Sequence, residues 1–385
     1  MRLLFYNDRP VFGGHEAMTL HGLEALLEDG RWQLHFIASE ENTTLLKHLA
    51  DLARRYPQLT FEETDEQPTT FEAARHFICR GRISDLATTI ERHAPDAVVS
   101  VQGGLELSSL GILAARRAGV KAISYLAMPH TYKTTGARLA SVLDRLTPSL
   151  IGMPHAYITL SDEMAALLRE RGATVPVEVL YPGIDTALFH PGDQQTARRA
   201  LSLPLETPVF ACVGRIDFHQ KQQDRLLRAL ARPALADCHL VFAGDGPDSA
   251  TLDEMIQARG LASRVRRWPW ADTAQLYRAA DAVVIPSRYE GVPLVMLEAL
   301  ACGVPVLGTD RDGMRDILPE NFRIDASSSL ALSRELRGFL DGPRQAPPAE
   351  LCQAIRTKMS LEAFRHRFRE ILDQLITGSS FSPVG

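Results

Sequence analysis

Three short stretches in the second half of the chain combine residue types that grip phosphate and sugar. The first is Val213-Gly214-Arg215-Ile216-Asp217, with Lys221 six residues beyond Arg215. Glycine admits a tight turn and a close backbone approach. A planar guanidinium takes phosphate oxygens two at a time, and a lysine ammonium adds a compact charge. The pair suits a diphosphate; read alone, it is equally two basic residues on a solvated loop. The second stretch, Phe242-Ala243-Gly244-Asp245-Gly246-Pro247, ends an apolar run in a glycine turn of a kind many α/β proteins use for packing alone. The third stretch carries Glu290 on a loop and Glu298 eight residues later, within the apolar run Leu294-Val295-Met296-Leu297-Glu298-Ala299. The spacing predicts a helix starting near Pro293, whose missing N–H suits a first helical position. The amides of Val292, Leu294 and Val295 at that start, with the helix dipole, favour an anion. Glu298 can accept two hydrogen bonds from a vicinal diol, and in so apolar a helix it needs a partner. The competing reading makes both glutamates solvated surface residues.

Each stretch follows an apolar run of strand length. Strands are expected at 209–213, 239–243, 282–285 and 304–307, with helices near 222–231, 249–259, 273–280 and 292–302. The same alternation fills the first half, with strands at 3–6, 34–38, 97–101, 122–126, 156–160 and 178–181 and helices at 15–28, 84–93, 107–118 and 161–171. Continuous apolar strands separated by helices imply parallel sheets covered on both faces. The expected fold class is α/β, with two successive doubly wound domains. Proline and glycine concentrate between residues 181 and 193, which marks a linker. The expected domains are 1–185, 186–360 and a terminal helical segment, 361–385. That last helix is amphipathic, with Leu361, Phe364, Phe368, Ile371, Leu372 and Leu375 on one face. Packing on the globular body is the first reading. A membrane-surface helix is the second, drawn from Arg365, Arg367 and Arg369.

Composition narrows the classes. The 385 residues are 45% hydrophobic and 23% charged, enough for a core in each of two domains. A formal net charge of −5 and the lack of an aromatic-basic platform disfavour nucleic acid as a partner. No apolar stretch is long enough to span a bilayer, and the opening residues Met1 to Asp8 do not read as a signal peptide. The five cysteines are scattered without a CxxC pair. Cys212, Cys238 and Cys302 read as buried thiols, which suits a reducing, cytoplasmic setting.

Gly214-Arg215…Lys221, Gly244-Asp245-Gly246 and the Glu290-x7-Glu298 pair, in this order, resemble the nucleotide-sugar site of retaining glycosyltransferases of family 4. The flanking Leu276-Tyr277-Arg278-Ala279-Ala280-Asp281 and Ala301-Cys302-Gly303-Val304-Pro305-Val306 match that family's pattern too. The resemblance implies the GT-B fold: two Rossmann-like doubly wound domains facing across a cleft, hinged at the linker, with the C-terminal helix crossing back to the first domain. It covers the second half closely. It reaches the first half through Gly13-Gly14 and through Gly183-Ile184-Asp185…Phe189.

The family pattern also implies roles. Arg215 and Lys221 would hold the donor diphosphate and stabilise the departing nucleoside diphosphate, which makes a metal ion unnecessary. Glu298 would bind the ribose hydroxyls, and Glu290 would stand against the donor sugar. Gly244, Gly246 and the amides of Val292, Leu294 and Val295 would complete the donor site. Trp268, in Arg266-Arg267-Trp268-Pro269-Trp270, would lie beside the base. Gly13 and Gly14 resemble the family's glycine loop, and His130 falls where the family carries a histidine near the transferred sugar. Without the family, the first is a plain strand-to-helix turn and the second a loop histidine. His15 is second choice among the histidines, and Tyr132 and Lys133 could line an acceptor site. The chain departs from the commoner Gly-Phe-Gly after Glu290, since Pro293 has no amide to donate.

A uridine diphosphate sugar is the expected donor on family frequency, with no other cofactor and no metal. The acceptor is expected to be a saccharide or a lipid-linked saccharide of bacterial surface polysaccharide or glycoconjugate synthesis, made in the cytoplasm or at the inner face of the membrane. Retention through a double displacement needs a carboxylate nucleophile about 5 Å from the acid, and no second candidate is evident. The family implies a front-face displacement instead. A nucleotide-sugar epimerase or a phosphorylase on the same fold, and a binding protein without catalysis, are the alternatives. The intact glutamate pair and the basic pair count against them.

Overall fold

The computed structural model describes residues 1–68, 72, 74, 80–268, 272–343 and 346–378. The chain divides into two compact units, Met1–Gly183 with Glu362–Gly385, and Ile184–Leu361.

The first unit is built on a seven-stranded parallel sheet in the order β3-β2-β1-β4-β5-β6-β7. The strands are β1 (Arg2–Asn7), β2 (Gln33–Ser39), β3 (Leu59–Thr64), β4 (Ala97–Gly104), β5 (Lys121–Met128), β6 (Ala156–Thr159) and β7 (Val177–Val179). Central strands β1, β4 and β5 are buried along nearly their whole length, which is why they read as unbroken apolar runs. The order reverses between β1 and β4. There Asp8, just past β1, accepts hydrogen bonds from the amide and hydroxyl of Ser108, each at 3.0 Å.

The last helix, Leu361–Thr377, belongs to this first unit from Glu362 onward. Its apolar face buries Phe364, Phe368, Ile371 and Leu372. The Phe368 ring lies edge-on to Tyr125 of β5, with centroids 5.8 Å apart. It fills the space above Gly22, where a Cβ would stand 2.7 Å from the ring. Its basic residues find partners within the unit: Arg365 pairs with Glu28 at 2.7 Å and Arg367 with Glu178 at 3.2 Å. Lys121 donates to the helix's last carbonyls, Leu375 at 2.8 Å and Ile376 at 3.2 Å.

The second unit is a six-stranded parallel sheet in the order β10-β9-β8-β11-β12-β13. Its strands are β8 (Val209–Val213), β9 (His239–Ala243), β10 (Val265–Trp268), β11 (Ala282–Ile285), β12 (Val306–Thr309) and β13 (Arg323–Ile324). Order reverses between neighbouring β8 and β11, so the loops leaving these two strands diverge at the sheet's C-terminal edge. In open α/β sheets that is where ligands bind. A buried ion pair, Arg198 to Asp281 at 2.6 Å, ties the unit's first helix to the entry of β11.

β3, β10 and β13 do not appear among the strands expected from sequence. All three lie at or beside a sheet edge, and β3 (LTFEET) and β10 (VRRW) carry charged residues as edge strands do. The helix expected to include Pro293 begins one residue later, at Leu294, with Pro293 as its cap at φ −65° and ψ 119°. Among the described residues no helix is long and apolar enough to cross a membrane. Cys212, Cys238, Cys302 and Cys352 are free and buried. Burial pushes the thiols of Cys212 and Cys238 up to about 12, so both stay protonated and inert. Cys79 lies outside the described residues.

Candidate functional site

The loop leaving β8 turns at Gly214, whose φ of 140° is open to glycine alone. The loop leaving β9 turns the same way at Gly244, with φ 131°. The two loops are stitched together: Gly214 N–H donates to Ala243 at 2.9 Å and Ile216 N–H to Asp245 at 3.0 Å. Gly246 sits directly against Ile216, whose carbonyl oxygen would be 2.3 Å from any added Cβ. The Gly246 amide donates to its neighbours Asp245 and Ser249, at 2.8 and 3.0 Å. In this structure Gly246 serves close packing of the Arg215 loop, and its amide is engaged within its own turn.

Beyond Gly214, Arg215 holds its guanidinium 2.9 Å from Asp217 and remains 40% exposed at its side chain. Lys221 reaches across to the loop leaving β11. Its ammonium lies 2.6 Å from Glu290, the shortest cation–carboxylate contact at this sheet edge. The Glu290 side chain is only 6% exposed, so Lys221 compensates it in place of solvent.

Residues the sequence reading passed over hold this pair in place. Gln220 accepts the Arg288 N–H at its carbonyl, 2.8 Å away, and its side-chain amide donates to the Tyr289 carbonyl at 3.3 Å. Gln223 donates to the Arg215 carbonyl at 2.8 Å. From the other side, Asp312 accepts the Glu290 N–H at 2.8 Å. Asp312 has φ 54°, a left-handed conformation that aspartate tolerates better than most residues. Gly313 follows, donating to the Gly291 carbonyl at 3.0 Å, where a Cβ would come within 2.5 Å of that oxygen. The signal for these residues was an Asp-Gly three residues beyond β12 and glutamines on either side of Lys221. Neither has a spacing that points to chemistry.

Glu298 stands on the helix Leu294–Ala301 and accepts the Tyr277 hydroxyl at 2.6 Å. Burial raises its pKa, and the Tyr277 hydrogen bond pulls it partly back. Tyr277 is fully buried, so it supplies the partner that a carboxylate in this helix requires. Val292 is buried, with Leu294 and Val295 partly buried in the first turn. Trp268 ends β10, and its carbonyl accepts the Gly244 amide at 3.0 Å. Pro269 and Trp270 lie outside the described residues.

The structure therefore brings Arg215, Lys221, Glu290, Gly244 and Gly246 to one edge of the second unit, where β8, β9 and β11 end. Glu298 is held separately by Tyr277.

In the first unit, Gly13 caps the helix Gly14–Asp29 at the C-terminal end of β1. Its backbone is extended, with φ −152°, so no left-handed turn requires glycine there. Its missing side chain leaves room for Glu16, whose carboxylate oxygen would lie 3.3 Å from a Cβ. His15 places Nε2 3.1 Å from the Tyr125 carbonyl, and its ring lies tilted at 53° to the Tyr125 ring, with centroids 4.2 Å apart. Burial lowers its pKa. His130 is buried beyond β5, and its carbonyl accepts from Arg171 at 2.8 Å. The Tyr132 hydroxyl donates to Glu106 at 2.6 Å.

Comparison with known proteins shows what this chain is similar to. Residues 193–359 match the model of glycosyl transferases group 1. D-inositol 3-phosphate glycosyltransferase of Mycobacterium tuberculosis (strain ATCC 25618 / H37Rv) is 35% identical over 215 residues, 53% of this chain and 43% of that protein. The chain thus matches less than half the length of that relative. Among solved structures, sucrose-phosphate synthase from Thermosynechococcus elongatus superposes with a TM-score of 0.76 at 18% identity, covering 98% of this chain and 100% of the other. Anabaena HepE in complex with UDP-glucose gives 0.74 at 19% identity, covering 97% and 100%. At these identities the likeness is one of fold. Residues 193–359 thus carry the match to the group 1 glycosyl transferases, and the two parallel-sheet α/β domains have the GT-B fold of the solved structures they resemble.

Proposed function

We propose that this protein is a retaining, metal-independent glycosyltransferase that moves a hexosyl group from a UDP-sugar to a saccharide or lipid-linked acceptor of bacterial surface polysaccharide or glycoconjugate synthesis. The observation that carries this reading is the Lys221–Glu290 pair at the β8–β11 reversal, with Arg215 exposed beside it. A diphosphate at that edge meets two cations and the amide-bearing first turn of the helix Leu294–Ala301. Lys221 then shares its charge between phosphate and Glu290. As the glycosidic bond breaks, negative charge grows on the leaving phosphate, where Arg215 and Lys221 stabilise it most. Glu290 faces the opposite sign, the positive charge of an oxocarbenium-like sugar. Glu298, held by Tyr277, takes the ribose hydroxyls.

No protein base is assigned. A leaving phosphate oxygen takes the acceptor hydroxyl's proton on the same face of the sugar, which retains configuration. A trapped glycosyl-enzyme adduct would overturn this front-face route. The ligand in the Anabaena HepE complex, UDP-glucose, supports uridine as the base. The family pattern adds His130, Gly13 and Gly14 as first-unit groups acting on the sugar and acceptor, and supports work in the cytoplasm or at the inner face of the membrane.

The test is thermal unfolding with uridine, guanosine, adenosine and thymidine diphosphates in chelator. A ligand at about 100 times its dissociation constant adds ~2.7 kcal/mol. For a unit of this size that is a rise of about 5 to 11 °C. A rise with the uridine compound, lost in Arg215→Ala, is expected. A rise with another base alone would move the donor assignment to that base, and none at all would overturn the donor site.

A further inference from the structure

On the other edge of the first unit, three side chains meet that the transfer reaction does not use. His35 on β2, Glu62 on β3 and His93 at the end of the helix Arg80–His93 each offer a ligand atom, and the three atoms lie within 4.8 Å of one another. Strand pairing creates this: His35 is in register with Thr60 and Ile37 with Glu62, so His35 and Glu62 share a face of the sheet. The helix Arg80–His93 covers that face and lays the His93 ring on His35, with centroids 3.7 Å apart.

Two buried polar atoms here lack hydrogen bonds. His35 is 9% exposed, and its Nδ1 lies 2.8 Å from the Thr60 hydroxyl, while Nε2 has no hydrogen-bond partner. Nε2 instead faces Glu62 at 3.6 Å. The Gln58 side-chain oxygen is likewise buried without a partner. Both residues line one cavity of about 180 Å³, together with His93, Thr60, Arg2 and Pro95. Orphaned buried polar atoms are uncommon and ask for a missing partner.

We propose that His35, Glu62 and His93 bind a divalent transition-metal ion of the zinc class. Two imidazoles and a carboxylate are the borderline donors such ions take, with a fourth position left for water. Bonds of about 2.0 to 2.1 Å in a tetrahedron set ligand atoms about 3.4 Å apart. His35 and Glu62 already stand at 3.6 Å, and half-exposed His93 closes the set by turning about its side-chain bonds. Gln58, whose unpartnered oxygen lines the same cavity, would be an acceptor for that water. The Thr60 hydroxyl at Nδ1 orients His35. A cation is also favoured at the carboxyl end of a helix. Arg2 is the opposing charge in the cavity. The ion would pin edge strand β3 to β2 and to the helix. The cavity takes in the first residues of β1, and the glycine loop follows the last, so the site is about a strand's length from the Gly13 turn.

The test uses the full chain, stripped with chelator. Zinc titrated by calorimetry should bind one to one, and cobalt should give the intense visible band of a four-coordinate site. Zinc at about 100 times its dissociation constant should raise the melting temperature by about 5 to 11 °C. His93→Ala and Glu62→Gln should each weaken zinc binding at least tenfold and erase the cobalt band, with circular dichroism and the metal-free melt unchanged. Absence of binding at 0.1 mM zinc, or binding that survives in both variants, overturns the proposal. Such surviving binding would lie elsewhere, as at His366 and Glu370 on the last helix. None of these readouts uses transferase activity, so the result stands apart from the donor site.

Discussion

Lys221 and Glu290 are each other's condition. The Glu290 side chain is 6% exposed and has an ammonium 2.6 Å away, and removal of one partner from such a buried pair leaves the other without compensation. Lys221→Met should therefore destabilise the second unit by about 2 to 3 kcal/mol, somewhat under the fully buried range since Lys221 keeps some exposure. Lys221→Met with Glu290→Gln should recover most of that loss, which a double-mutant cycle by urea unfolding would read as strong coupling. The two single variants should part in function. Glu290→Gln should keep nucleoside diphosphate affinity and lower turnover by about 10²- to 10³-fold, while Lys221→Met should lose affinity as well. Equal effects on both measurements would remove the distinct roles. Glu298 gives a separate readout: Glu298→Gln should narrow the preference for UDP over its 2′-deoxy analogue in equilibrium binding.

At the scale of elements, the loops matter more than the strands that launch them. Gly246→Ala drives a methyl into the Ile216 backbone, 2.3 Å from its oxygen, and that backbone cannot yield without moving Arg215. The expected outcome is a loss of several degrees in melting temperature together with loss of the diphosphate shift. A variant that melts earlier yet binds normally would show that the two loops move independently. In the first unit, Asp8 links the end of β1 to Ser108 at the head of the helix Ser109–Arg117. Burial is the main cause raising its pKa from 3.8 to about 6, against the hydrogen bonds from Ser108 that lower it. The folded state therefore holds a proton that the unfolded chain releases. Its stabilising contribution is complete below pH 3.8 and disappears as pH rises through 6, an amount of about 3 kcal/mol. Asp8→Asn lacks this titration. Its stability relative to wild type should climb between pH 4 and 7, as measured by urea unfolding; a constant difference would assign the proton elsewhere.

At the scale of the whole chain, the last helix is part of the first unit's core although it is the last element in sequence. Phe368 is fully buried and fills the space left by Gly22. Phe368→Ala should cost about 3 to 5 kcal/mol, and Gly22→Ala should force the same ring aside. Both should lower the first unit's melting transition and leave the diphosphate shift of the second unit in place, as followed by calorimetry with and without ligand. The arginines once weighed as a membrane face are committed in part to Glu28 and Glu178. Surface ion pairs of this kind add little stability each, but they balance the charge that a basic face would present.

Much of this was legible in the residues. Apolar runs such as Val209–Val213 and Ala282–Ile285 announce buried parallel strands because both faces are covered, and covered faces leave no polar alternation to confuse the pattern. The basic pair and the two glutamates announce a phosphate and sugar site because few other uses bring those types together after successive strands. Edge strands β3 and β10 stayed hidden because one side faces solvent and accepts charge, so their composition is that of a loop. Tertiary structure alone decided which groups meet. Lys221 touches Glu290, 69 residues away, since β8 and β11 become neighbours only when the sheet forms. Asp312, Gln220 and Tyr277 became visible as supports for the same reason, and so did His35, Glu62 and His93 as a cluster. Residue type and spacing carry the chemistry a chain can perform, whereas distance between side chains is a property of strand order, set by the folding of the whole sheet.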